Sequence, residues 1–152
     1  MRVSFGADDA TPVTEAILAE LGRRGMETLV HGKPAGEALP WAWVAEAVAR
    51  DVAEGRADCG ILCCYTGTGV SIAANKVPGI RAALCADPDI VRGARMWNDA
   101  NVLCLSLLRT RPEDVPALLD AWFAPLEVDP EERPSIAHLA ELEAEGSRPR
   151  TT

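Results

Sequence analysis

The stretch Cys59–Lys76, "CGILCCYTGTGVSIAANK", runs from an apolar segment through two adjacent cysteines and a glycine turn into an apolar helix start. The uncharged run Cys59–Cys64 has the character of a strand buried on both faces of a parallel sheet. Gly67 and Gly69 give the turn after it a backbone able to adopt positive φ and to approach a ligand closely. A strand, a tight turn and a helix in this order make one half of a βαβ unit, and the rest of the chain repeats the theme.

Upstream, "RVSFGA" (Arg2–Ala7) reads as a strand, and Thr11-Pro12 opens an amphipathic helix over Val13–Arg24. Pro12 suits a first helical turn, where its missing N–H has no partner to lose. Gly25 stops that helix, "METLVHG" forms the second strand, "KPAGEALP" a loop, and "WAWVAEAVARDVAEG" (Trp41–Gly55) a helix capped by Gly55. Downstream, "VSIAANKV" continues as helix until Pro78-Gly79, and "IRAALCA" (Ile80–Ala86) forms the fourth strand. Then come a helix in "DPDIVRGARMWN" (Asp87–Asn98), a strand in "ANVLCLSLL" (Ala100–Leu108) and a helix in "PEDVPALLDAWFA". Apolar strands alternating with helices predict an α/β fold, a doubly wound αβα sandwich on a five-stranded parallel sheet with right-handed crossovers. Residues 1–152 are expected to form a single domain, in which 125–152 is an acidic, proline-punctuated C-terminal extension. It would hold a short helix in "SIAHLAELEAEG" and a frayed tail in "SRPRTT".

Composition narrows the function classes. The chain has 152 residues, 48% hydrophobic and 25% charged, with a net charge of −8. That excess of acid argues against nucleic acid as a partner, since phosphate binding needs a basic face. No apolar run approaches about 18 residues, so no membrane span is expected. The opening "MRVSFGADDA" lacks the apolar core of a signal peptide. A cytoplasmic location follows as the expectation, with the five cysteines reduced.

Ligands of open parallel sheets bind at the carboxyl ends of the strands. Three turns are expected there: "DDAT", "CCYTGTGVS" and "ADPD". In the middle one, amides up to Ser71 open a helix and can face an anion, either a phosphate or an oxyanion formed during reaction. Cys63 and Cys64 are not a CxxC pair, and His31 and His138 lie too far along the chain to complete an obvious zinc site with them. Neighbours on a strand point to opposite faces, so one of the two is packed and the other can meet the cleft. Both cysteines as small core hydrophobes is the alternative. Asp8 and Asp9 have two readings as well, as ligand-binding carboxylates or as caps for the helix at Pro12. Trp41, Trp43 and Trp122 read as core or interface anchors, and Cys59, Cys63, Cys85 and Cys104 as core.

The run "DCGILCCYTGTGVSIAANKVPGIRAALCAD" with "RMWNDANVLCL" downstream resembles the ribose-5-phosphate isomerase B / galactose-6-phosphate isomerase family. The resemblance extends over roughly Arg2 to Phe123 and is most specific in its middle block. It implies a Rossmann-like subunit that interconverts aldose and ketose through a cis-enediolate, with no metal and no organic cofactor. It further implies a homodimer or tetramer with the site at a subunit interface. Cys64 matches the family's proton-transferring cysteine, and Thr66 the threonine near the ring oxygen and carbonyl. Gly67, Gly69 and Ser71 match the turn that stabilises the enediolate, and Asp8 the aspartate that binds sugar hydroxyls. Asn98 matches the asparagine after the ring-opening histidine; Asn75 and Lys76 match positions read as structural.

The departures define the expectation further. Asp9 stands where the family has a phosphate-contacting histidine, Trp97 replaces the ring-opening histidine, and Tyr65 replaces a glycine. The family arginine after the fifth strand falls near Leu108, with Arg109 one place away, and Arg133 matches one basic residue of the C-terminal segment. The sequence therefore predicts an aldose–ketose isomerase, acting on a small sugar or sugar phosphate other than ribose 5-phosphate. Asp8, Asp9, Tyr65, Trp97, Asn98, Arg109 and Arg133 are its substrate-binding candidates beside the glycine turn. The acidic pair favours a neutral polyol over a phosphate unless Arg109 or Arg133 reaches the cleft. The rival reading is a non-catalytic sugar-binding or partner subunit of the same fold; a redox role lacks a suitably placed second cysteine.

Overall fold

The computed structural model describes residues 1–146. Five parallel strands, β1 (Arg2–Ala7), β2 (Glu27–Gly32), β3 (Cys59–Cys64), β4 (Ala82–Leu84) and β5 (Val102–Ser106), form one sheet. Their order is β2-β1-β3-β5-β4. Six helices connect or follow them: α1 (Pro12–Arg23), α2 (Trp41–Ala53), α3 (Thr68–Ala74), α4 (Pro88–Asn98), α5 (Val115–Phe123) and α6 (Arg133–Gly146). The expected αβα sandwich is present.

The pleat sorts the strand residues into two cores. Phe5, Ile61, Cys63, Leu103 and Leu105 pack with Ile17 and Leu21 of α1, Val91 of α4 and Leu118, Leu119 and Trp122 of α5. Leu62, Cys64, Val102 and Cys104 face the other way, against Val44 and Val48 of α2 and Val70 and Ala74 of α3. Every residue of β3 is buried, as its uncharged sequence requires.

Several boundaries differ from the sequence expectation, each for a local reason. β4 is the sheet's edge and shrinks to Ala82–Leu84, because the Arg81 amide is taken by the Asn101 side chain at 2.8 Å. β5 ends at Ser106 because the amides of Leu107 and Leu108 turn to the carbonyls of Cys64 and Tyr65. The helix expected from Pro112 begins as a 3-10 turn, Pro112–Asp114, before α5. The loop "KPAGEALP" contains a 3-10 turn at Lys33–Ala35. The helix expected in the C-terminal extension is α6, extended back to Arg133; the tail "SRPRTT" lies outside the described residues. No helix among the described residues is long and apolar enough to cross a membrane.

A buried polar cluster ties α2 to the strands beneath it. The Asp51 carboxylate of α2 accepts the Ser4 hydroxyl of β1 at 2.7 Å and the Arg56 guanidinium at 2.7 Å, and it meets His31 Nε2 of β2 at 2.6 Å. Burial opposes ionisation of Asp51, but the bonds from Arg56, Ser4 and His31 outweigh it and hold the carboxyl below its usual range. A depressed folded-state pKa adds stability that is complete above the unfolded value of about 3.9 and lost as pH falls through the folded value. Asp51→Asn is therefore expected to cost about 1–3 kcal/mol at neutral pH. It should also flatten the fall in unfolding free energy below about pH 4. Urea titrations across pH read both effects, and an acid limb identical to the wild type would contradict this account.

Candidate active site

In the strand order, β2 lies on one side of β1 and β3 on the other, so the chain reverses its winding direction between β1 and β3. The carboxyl ends of these strands part around a crevice, the usual ligand position in such sheets. There a cavity of about 290 Å³ is lined by Asp8, Trp41, Cys64, Tyr65, Thr66, Thr68 and Gly69.

Cys64 forms the cavity's floor. It is 5% exposed and belongs to the α2/α3 core layer, whereas its neighbour Cys63 is fully buried in the opposite layer. The expectation that the two point to opposite faces holds, and Cys64 is the one facing the cleft. The remaining thiols are core groups. Burial raises all four, Cys85 to about 11, Cys63 further still and Cys104 well above the usual thiol value. All four therefore stay protonated at neutral pH.

The turn beyond Cys64 is fixed by its backbone. The Gly67 amide donates to the Cys64 carbonyl at 3.2 Å, and the Leu107 amide donates to the same oxygen at 3.0 Å. Gly67 adopts φ +75°, and a Cβ there would stand 2.5 Å from Leu84 Cδ1 and 3.0 Å from the Leu105 carbonyl. Glycine is needed on both counts. Since Gly67 N–H is taken and Ser71 N–H donates to the Gly67 carbonyl at 3.3 Å, neither is available to a ligand. The amides of Thr68, Gly69 and Val70 have no backbone or side-chain acceptor among the described residues. These open the helix and are the donors an oxyanion would meet. The Thr66 and Thr68 hydroxyls bond each other at 2.6 Å on the same rim.

Asp8 enters from the end of β1. Partial burial raises its carboxyl pKa, its own backbone amide works against that, and the charge of Asp9 adds to the rise. The capping alternative is excluded for both aspartates: α1 is capped by Thr11, in a reciprocal box with Thr14. Asp9 instead accepts the Ala10 amide at 2.8 Å and does not line the cavity.

Other candidates fall elsewhere in this subunit. Ser71 does not line the cavity. Arg109 follows β5 beside the turn, its amide on the Ser106 carbonyl and hydroxyl, but does not line the cavity. Trp97 and Asn98 line a separate groove of about 730 Å³ between α4, β4 and α6, which also holds Leu139 and Leu142. Trp97 lies back over Gly93, where a Cβ would stand 2.8 Å from its ring. Arg133 is the exposed first residue of α6. The "ADPD" turn is also remote, because β5 separates β4 from β3, and Asp87 is spent capping α4.

Motif residues outside the cavity are accounted for by the fold. Asn75 bonds both backbone groups of Ala82, at 2.8 and 2.9 Å, clamping α3 to β4. Asp99 holds φ 47° at the end of α4 with Arg81 on its carbonyl and carboxylate. Sequence reasoning missed Trp41, expected as core or interface anchor but half-exposed at the cavity, while Trp43 is exposed and Trp122 is core as expected. A helix start that follows a parallel strand returns from the strand's carboxyl edge, and that position was the available signal for Trp41.

A profile of the Ribose/Galactose Isomerase family matches residues 3–139. Ribose-5-phosphate isomerase B of Escherichia coli is 38% identical over 123 residues, covering 80% of this chain and 83% of that protein. D-erythrulose-4-phosphate isomerase of Pectobacterium atrosepticum is 34% identical over 125 residues, covering 81% and 82%. The solved ribose-5-phosphate isomerase B of Clostridium thermocellum superposes with a TM-score of 0.84 at 32% identity, over 97% of this chain and all of that one.

Gly67→Ala tests the turn. It should cost the strain of a left-handed alanine, about 1–3 kcal/mol, plus the clash with Leu84 and Leu105. Gly25→Ala, at φ +69° with nothing within 4 Å, carries strain alone. Gly67→Ala should therefore lower Tm clearly more; equal losses would show that the turn is not wedged as described.

Proposed function

The chain belongs to the ribose/galactose isomerase family, and on that premise we propose that it is an aldose–ketose isomerase for an open-chain, four-carbon sugar phosphate. Cys64 is the base. Its thiolate, formed beside the amides that open α3, takes the proton from the carbon next to the carbonyl and returns it to the neighbouring carbon. The electron pair moves onto the carbonyl oxygen, and the cis-enediolate oxygen is held by the free amides of Thr68 and Gly69. Asp8 and the hydroxyls of Thr66 and Thr68 bind the substrate hydroxyls. The reaction is redox-neutral overall and draws on no metal or organic cofactor.

The observation that carries the choice of substrate is Trp97. The position that resembles the family's ring-opening histidine holds an indole, which has no proton to trade at neutral pH. A tetrose phosphorylated on its last oxygen has no free hydroxyl with which to close a stable ring, so it needs no ring opening. The D-erythrulose-4-phosphate isomerase among the relatives is consistent with that chemistry. Among the described residues, the cavity wall of one subunit holds no cation for the phosphate. A homodimer would supply it, with Arg133 of a second copy joining Arg109 at the rim, and with Trp97 and Asn98 facing the neighbour's site. The lining carboxylate of Asp8 favours a second reading, an unphosphorylated tetrose.

A panel of four-, five- and six-carbon sugars, with and without phosphate, tests the proposal. The highest kcat/KM is expected for a four-carbon phosphate. Activity confined to ribose 5-phosphate would defeat it, and a preference for the free tetrose would favour the second reading. Scattering at micromolar concentration should show a dimer; a compact monomer with full activity would remove the shared-site part.

A further inference from the structure

We infer that Trp41 and Tyr65 form an aromatic rim that grips the part of the substrate remote from the reacting carbons, and that Trp41 sets the chain length accepted. This inference rests on the isomerase reading of the Cys64 cavity. The floor and rim are distinguished by exposure: Cys64 is 5% exposed, Trp41 44% and Tyr65 67%. The reacting carbons must lie at the floor, against the thiol and the amides of α3. Any further carbons must rise toward the more exposed lining, which Trp41 and Tyr65 provide.

Among the described residues, Trp41 and Tyr65 are also the only large side chains in the lining; Asp8, Cys64, Thr66 and Thr68 are small, and Gly69 has none. The cavity's shape therefore depends mainly on two rings. The Trp41 ring is not free to swing inward toward α3, because it already rests on Gly69. A Cβ on Gly69 would stand 3.0 Å from Trp41 Cε3, 3.1 Å from Cδ2 and 3.2 Å from Cζ3. The ring is thus seated on the backbone of the helix turn whose amides face the oxyanion. Trp41 is nonetheless half-exposed and lines the cavity, where an indole face suits the C–H side of an open carbon chain. Binding energy gained at such a remote point is available to hold the reacting carbons in place.

The test is the chain-length ratio, kcat/KM for the four-carbon substrate over kcat/KM for its five-carbon homologue. Trp41→Ala should raise KM for the short substrate by about tenfold or more, with a smaller change in kcat. It should also drop the ratio, because the longer chain gains room. Gly69→Ala, which lifts the ring without removing it, should move the ratio in the same direction; Trp41→Leu should lie between. If Trp41→Ala does not fold, the other two variants carry the measurement. An unchanged ratio in folded, active variants would overturn the inference while leaving the isomerase reading intact. So would an equal fall in kcat for every substrate, which marks a general structural role. A wild-type protein that turns over no sugar of the panel removes the reading and this inference with it.

Discussion

The Cys64 carbonyl is the point from which the site hangs. It accepts the Gly67 amide across the turn and the Leu107 amide from the residue just past β5. These two hydrogen bonds anchor the turn to the sheet while the Cys64 side chain lines the crevice. Gly67 is wedged between Leu84 and Leu105, so the turn is held by β4 and β5 as well as by its own geometry. The sheet edge far from the crevice thus takes part in shaping it, and Asn75, by clamping α3 to β4, belongs to the same support.

The second determinant is the pleat. One strand delivers two thiols, and alternation sends Cys63 into a dry core while Cys64 reaches the cavity. Burial keeps the core thiols protonated at neutral pH. Cys64 is the thiol that lines the cavity, beside the amides that open α3. The same logic separates the two aspartates: Asp8 is partly buried in the cavity with a raised pKa, while Asp9 is occupied by the loop backbone. Chemistry at this site therefore follows from which face a residue lands on.

Much of this is legible in the sequence. The uncharged run before a glycine turn names β3, Thr11-Pro12 names the start of α1, and strand alternation assigns opposite faces to Cys63 and Cys64. Strand order is not legible, because pairing across the sheet is set by packing far apart in the chain. The "ADPD" turn is placed beyond reach by β5, which no local pattern announces. The capping of α1 by Thr11 rather than by Asp8 or Asp9 turns on one residue of offset at a helix end. Trp41 reads as an anchor because apolar character alone does not distinguish a core ring from one at a cavity rim. Trp97, Asn98 and Arg133 stand at positions that the family resemblance marks, and a single subunit does not gather them around Cys64.

The central claim is that the Cys64 sulfur moves the proton. Deuterium exchange tests it directly: the four-carbon substrate is incubated in heavy water, and label at the two carbons flanking the enediolate bond is followed by NMR. The wild-type protein should introduce solvent deuterium, and Cys64→Ala, with its fold verified and substrate still bound, should introduce none above the uncatalysed rate. Exchange by Cys64→Ala at the wild-type rate would contradict the account and assign the base to another group.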